Sequence, residues 1–260
     1  MICTGHKKYF VIIMQKVKPY TKLAQIYNRL MNHVDYERWG DYIKSLFKYA
    51  DINIKYILDL SCGTGNLLDL MIDDKLLCFG CDLSQPMLVQ SQHSETCFKF
   101  PLFVNDARAI AIHDQSFDVV LFLYDSINYL LKKSDLLKLI NEIYRILHFG
   151  GLLIFDTVSD EHCKVHFNHS HENEFWGNEG YFRYNSYNEK TRIQTTQFEI
   201  KLGDDIYLEI HKQRIYSVKD LIYILSRNKF QISGIFHNFT HKKMKSDAHR
   251  IHFVCKKSLI

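Results

Sequence analysis

Three prolines in 260 residues, Pro19, Pro86 and Pro101, leave no proline-rich linker, and no Gly/Ser-rich stretch divides the chain. That absence argues for one large domain, since 47% hydrophobic residues at this length suffice for a single core. No apolar run is long enough to span a bilayer. The run Tyr9 to Met14, behind Lys7 and Lys8, is too short for a signal-peptide core and no small-residue cleavage site follows it. A cytoplasmic protein is therefore expected. The seven cysteines show no regular spacing, which argues against a disulfide framework. Cys78 and Cys81 lie inside an apolar strand-like run, LLCFGCD, and read as small buried hydrophobes rather than a redox pair. Charge of one sign is also scarce: a formal net charge of +4 does not by itself imply a nucleic-acid partner.

What is present is an alternation of strand-like and helix-like segments from residue 20 to about 156. PYTKLAQIYNRLM places Leu23, Ile26, Tyr27, Leu30 and Met31 on one helical face, and VDYERWGDYIKSLF does the same with Trp39, Tyr42, Ile43, Leu46 and Phe47. Strands are expected at 56–60, 76–81, 100–104, 117–123 and 152–156. Helices are expected at 65–73, after Ser84 as a cap with Pro86 in the first turn, and at 135–147 behind Ser134. The strands are continuous apolar runs, the mark of a parallel sheet covered on both faces, so the fold expected is a doubly wound α/β sheet. After Asp156 the texture changes. YFRYNSY, RIQTTQFEI and IYLEIHKQRIY read as antiparallel strands with turns near Asn188 and at Gly203 to Asp205. A helix, Val218 to Arg227, and two last strands then resume the α/β pattern.

The chemistry concentrates where strands end. ILDLSCGTG, Ile57 to Gly65, runs from an apolar strand through a glycine turn into a helix, where unpaired backbone N–H groups can meet a ligand. Leu68 stands where a dinucleotide site needs its third glycine, and no Gly-Lys-Ser/Thr follows, so neither a pyrophosphate fingerprint nor a P-loop is present. Asp82, at the tip of the next strand, can accept both hydroxyls of a ribose. Asp106 in VNDAR can accept from an exocyclic adenine amine, and YDSINYL, Tyr124 to Leu130, closes the following strand.

Together DLSCGTG, GCDLSQPML, NDAR, FDVVLFLYDSINYL and LHFGGLLIFD resemble the motifs of a class I S-adenosylmethionine-dependent methyltransferase. The N-terminal helices are similar to those of a small-molecule subgroup that includes amino-sugar N-methyltransferases. The resemblance implies a Rossmann-like seven-stranded sheet with its last strand antiparallel. It divides the chain into N-terminal helices over the cofactor site (1–50), an α/β core (51–157), a β insertion over the acceptor site (158–216) and a closing helix with two strands (217–260). It implies that Asp59, Ser61, Gly63 and Gly65 form the floor beneath the methionine part of S-adenosylmethionine. Asp82 would hold the ribose, Leu83 and Met87 would flank the adenine, and Asp106 and Ala107 would meet its edge. Tyr124 would sit at the methionine end, and Tyr27 and Trp39 would close the site, although both also lie on faces that a core would use. Ser61 replaces a usual glycine, and because serine resists the positive φ that glycine permits, weakened or adjusted binding rather than loss is expected.

Catalysis would come mainly from holding donor and acceptor in line, with Tyr124, Asp125, Asn128 and Tyr129 as candidate bases or orienting groups. The activity expected is methyl transfer to an N or O atom of a small-molecule acceptor. Translation starting at Met14 would put the first helix near the start, as in that subgroup. A tRNA methyltransferase and a non-catalytic methyltransferase-like module are the alternatives. The basic tail HKKMKSDAHR favours tRNA but reads as a solvated loop, and YDSI lacks the Pro-Pro-aromatic run of enzymes that methylate base amines. Neither nucleic acid nor membrane is an expected partner, and a homodimer is left open. The His-rich DEHCKVHFNHSHEN, with His162, Cys163, His166, His169 and His171, reads as a polar loop without metal, because its spacing matches no usual pairing of zinc ligands.

Overall fold

A computed structural model describes residues 14–72, 75–91, 100–245 and 248–258. The Tyr9–Met14 run apart from Met14, the question of the starting methionine, and Cys3 and Cys97 lie outside them. The described strands are β1 (Met14–Val17), β2 (Tyr56–Asp59), β3 (Leu77–Asp82), β4 (Leu102–Val104), β5 (Phe117–Phe122), β6 (Leu147–Val158), β7 (His171–Trp176), β8 (Glu179–Asn188), β9 (Ile193–Leu202), β10 (Asp205–Arg214), β11 (Phe230–His237) and β12 (Arg250–Lys257). The helices are α1 (Tyr27–Leu30), α2 (Tyr36–Leu46), α3 (Asn66–Met71), α4 (Gln85–Ser91), α5 (Lys133–Ile146), α6 (Asp160–His166) and α7 (Val218–Arg227).

Seven strands form one sheet in the order β11-β12-β6-β5-β2-β3-β4. β4, β3, β2, β5 and β6 run parallel, while β12 is antiparallel to both β6 and β11. The continuous apolar strands explain why. All six residues of β5 are buried: Val119 and Leu121 pack with α2 and α3, and Val120 and Phe122 pack with α5 and α7. A residue buried on either pleat face gives a run with no polar alternation.

A second sheet, β1-β10-β9-β8-β7, rises from the region after β6. It is antiparallel except for β1, which pairs parallel with β10, so residues 14–17 join the insertion rather than the N-terminal helices. Its apolar face, Tyr181, Phe198, Ile200 and Tyr207, packs on Leu23, Ile26, Leu30 and Met31. That contact sets the insertion as a roof over the strand ends.

Several expectations change. The helix expected across residues 20–31 is a 3-10 turn, Leu23–Ile26, followed by the single turn α1. The buried carboxylate of Glu209 accepts the Lys22 and Leu23 N–H groups and fixes this tighter entry. The apolar face read from the sequence is nevertheless kept. α5 starts at Lys133 without a side-chain cap from Ser134. The His-rich segment is not a loop: Ser159 accepts from the His162 N–H and starts α6, and β7 follows.

Gly80 in β3 supplies the close helix–strand approach that a third turn glycine would give. A Cβ there would lie 2.9 Å from Leu68 Cδ1, 2.9 Å from Cys62 Sγ and 2.7 Å from Leu102 Cδ2. Gly80→Ala is expected to destabilise the protein by about 1–3 kcal/mol through overpacking, measured by urea denaturation; a neutral substitution would show that α3 is not seated this tightly.

Candidate active site

β2 ends at Asp59, and the chain turns back through two glycines in the left-handed region, Gly63 at φ 57° and Gly65 at φ 83°. The turn is bound to the tip of β3: Gly63 N–H donates to one Asp82 oxygen at 3.0 Å and Ser84 N–H to the other at 2.8 Å. On its other side Thr64 and Asn66 donate to the Asn28 side chain from 2.7 and 3.2 Å. A Cβ on Gly63 would stand 3.2 Å from Met87 Cε, so the backbone passes closely over the buried Met87. Ser61 meets no positive φ to resist, because it is absent from the described non-glycine residues with positive φ. Its N–H donates to Asp59 at 3.0 Å, so a serine fits where the resembled motif has glycine.

Burial pushes the Asp59 carboxyl up to about 7 against the hydrogen bond from Ser61, and the nearby Asp82 adds to the rise. Asp82 is also raised by burial, with the Ser84 and Gly63 N–H groups opposing it. Leu83, by contrast, is exposed and Ala107 half-buried. Asp106 is gripped by Arg108 at 2.6 Å, which holds its carboxyl below the usual range.

Past β5, Tyr124 and Asp125 both adopt the left-handed conformation, at φ 59° and 50°. Their N–H groups donate to the two oxygens of Asp156, at 2.6 and 3.0 Å. Asp156 is fully buried, and Arg250 pairs with it and with Asp125 at 3.1 Å. The Arg250 guanidinium also lies 5.0 Å from the Tyr124 ring centre and 5.5 Å from that of Trp39. Trp39 is buried and stacks on Tyr124 at 5.3 Å, so it backs that ring. Asn128 is fully buried, donates to the Arg214 carbonyl at 2.7 Å and accepts from Thr157 at 3.0 Å, bonds that tie it to β10 and β6.

The roof contributes groups that the sequence did not single out. Along β10, Glu209, His211 and Gln213 alternate onto one face and are buried. Gln213 donates to Asp125 at 2.6 Å. Glu209 and His211 lie 3.0 Å apart, His211 Nδ1 lies 2.9 Å from the Tyr129 hydroxyl, and that hydroxyl lies 2.8 Å from the Tyr20 hydroxyl. Tyr27 packs edge-on against Tyr20. The period-two set of polar residues in IYLEIHKQRIY was the available signal. It reads as the solvated face of a strand until a partner surface is known. Arg250 closes the stretch read as a solvated loop, yet its side chain is mostly buried in its ion pairs.

Residues 57–151 match a family described as a methyltransferase domain. The chain is 28% identical over 244 residues to YqeM of Bacillus subtilis, designated a methyltransferase, covering 92% of this chain and 97% of that one. It also resembles a crystal structure of a S-adenosylmethionine-dependent methyltransferase from Clostridium acetobutylicum, with a TM-score of 0.76 and 27% identity over 92% of this chain and 99% of the other. The chain carries a methyltransferase domain and has the class I fold of the S-adenosylmethionine-dependent methyltransferases. The fold is shared further with the sugar N-methyltransferase KedS8 from Streptoalloteichus, at a TM-score of 0.71 and 14% identity over 98% of this chain and 99% of that one. No described helix is long and apolar enough to cross a membrane.

The donor set suits this methyltransferase's cofactor. Asp59, Asp82, Asp125 and Asp156 gather at the strand ends, and each has its carboxyl raised first by burial. A cationic ligand among them relieves that cost. Without cofactor, native Asp59 holds its proton up to about pH 7 while the unfolded chain releases it near 3.8. The native state then binds more protons across that window, so stability falls as pH rises through it. Denaturation of the cofactor-free methyltransferase across this range should show that decline, reduced in Asp59→Asn; an equal slope in both would place the titration elsewhere.

Proposed function

We propose that the enzyme methylates an N or O atom of a small-molecule acceptor held beneath the β7–β10 roof, and that Tyr20 and Tyr129 carry the acceptor's proton away. The carrying observation is the hydrogen-bonded series Tyr20–Tyr129–His211–Glu209. Its polarity follows from its buried end. Glu209 also accepts the N–H groups of Tyr20, Lys22 and Leu23 at 2.7, 2.6 and 3.0 Å, and the bonds from His211, Leu23 and Lys22 outweigh burial to keep its carboxyl low. An ionised carboxylate only accepts, so His211 donates from Nε2 and, in its neutral form, presents Nδ1 as an acceptor. Tyr129 then donates to His211, and Tyr20 donates to Tyr129. The Tyr20 oxygen keeps a lone pair for an acceptor N–H or O–H, within electrostatic reach of Asp125 and Asp82.

Burial raises both tyrosine hydroxyls well above their usual range, so they act as neutral conduits rather than phenolates. A proton leaving the acceptor shifts each hydroxyl proton one place along and ends on His211, as an imidazolium beside Glu209. S-adenosylmethionine supplies the electrophilic methyl on a sulfonium. Asp82 and the glycine turn would hold its nucleoside, with Leu83, Met87, Asp106 and Ala107 around the adenine. Tyr124, backed by Trp39, would lie at its methionine end. The structure of CalS10, an amino pentose methyltransferase with S-adenosylmethionine bound, shares this fold at a TM-score of 0.69. An amino sugar is accordingly the first acceptor class to try.

Metabolite fractions incubated with methyl-labelled S-adenosylmethionine should yield a labelled small molecule. On that acceptor Tyr129→Phe should lower kcat by about 100-fold, with cofactor affinity unchanged. Label entering only tRNA, or full turnover by Tyr129→Phe, would refute the reading.

A further inference from the structure

The activity above leaves two features of the sequence unused, the His-rich segment and the basic stretch before β12. The fold brings them together. His162 and His166 are one turn apart on α6, which puts both rings on one face. Their ring centres are 4.5 Å apart. His249, just before β12, places its ring 5.1 Å from that of His162 and 5.4 Å from that of His166. One nitrogen from each of the three rings lies within 4.8 Å of the other two. Backbone pairing fixes the approach, since Ser159 N–H, at the cap of α6, donates to the His249 carbonyl at 3.1 Å.

His162 Nδ1 is buried and has no hydrogen-bond partner. A buried imidazole nitrogen without a partner carries a desolvation cost that a ligand would remove. The other residues of the segment are elsewhere: Cys163 is fully buried against Val158, Tyr187 and Ile215, and His171 is exposed on β7.

We propose that His162, His166 and His249 bind one divalent transition-metal ion of the zinc class. Three imidazoles around a tetrahedral zinc, each at about 2.0–2.1 Å, bring their nitrogens to about 3.4 Å apart. Small side-chain rotations close the present spacing to that value. His166 and His249 are exposed, so the fourth position opens to solvent and takes water. Three neutral nitrogens and an open position suit zinc, cobalt or nickel and do not suit magnesium or calcium, which prefer oxygen. The ion would join α6 to the segment before β12, one residue from Arg250.

The test uses full-length protein stripped with chelator, without S-adenosylmethionine or acceptor, so its outcome is independent of the methyl-transfer reading. Zn2+ titration against a chromophoric competitor should give one equivalent, and Co2+ should give the visible spectrum of a nitrogen-ligated tetrahedral ion. His166→Gln and His249→Gln, both at exposed positions that keep the fold by circular dichroism, should each weaken Zn2+ binding by about 100-fold. His171→Gln should leave it unchanged. No stoichiometric metal, unchanged affinity in His166→Gln and His249→Gln, or an equal loss in His171→Gln would overturn the site.

Discussion

Two consecutive left-handed residues after β5 exist because a buried carboxylate holds them. Tyr124 and Asp125 each occupy a conformation that costs a side-chain-bearing residue about 1–3 kcal/mol. Asp156 takes both of their N–H groups, and its own charge is answered by Arg250. Arg250 can do this because of strand register. β12 pairs with β6 so that Arg250 faces Val158, and Asp156 lies two residues away on the same pleat face. The closing strand of the sheet thus reaches the strand-end turn directly. From there the arrangement spreads: Tyr124 stacks on Trp39 of α2, and Asp125 takes Gln213 from the roof.

The site is acidic within a chain whose formal net charge is +4. Asp59 and Asp156 are buried and Asp82 and Asp125 half-buried, and the Arg250 guanidinium pairs with only Asp125 and Asp156. Burial raises each acid, and burial also pulls the Arg250 guanidinium down, but the neighbouring Asp156 and Asp125 charges more than restore it. A sulfonium ligand fits that imbalance. The proposed proton route leads away from these acids toward His211 and Glu209, so charge would leave the acceptor without titrating the groups proposed to hold the cofactor.

What was legible in the sequence was local. The apolar strands, the glycine turn and Asp82 each carry their meaning within a few residues, and the core follows from them. Asp156 looked like the end of an apolar strand, because nothing near it shows that its carboxylate caps a turn 31 and 32 residues earlier. Arg250 pairs with it across 94 residues, and Tyr129 reaches His211 across 82. Such partners come from sheet order and register, which hydrophobic periodicity does not encode. The N-terminal turn was misread for the same reason. Its pattern is helical, but Glu209, from β10, takes the N–H groups that begin it. The His-rich segment looked like a loop because histidine is a middling helix former. The Ser159 cap and the packing of Cys163 decide it instead.

Calorimetry of S-adenosylmethionine binding to Asp156→Asn tests this dependence most directly. Asparagine keeps the shape, but its NH2 replaces one of the two oxygens, so one of the Tyr124 and Asp125 N–H groups loses its acceptor, and the neutral amide cannot answer the Arg250 charge. The variant should remain folded, and losing about 1–3 kcal/mol of support for the turn should weaken cofactor binding by about tenfold or more. A folded Asp156→Asn enzyme with wild-type affinity would contradict the claim that this carboxylate shapes the cofactor site.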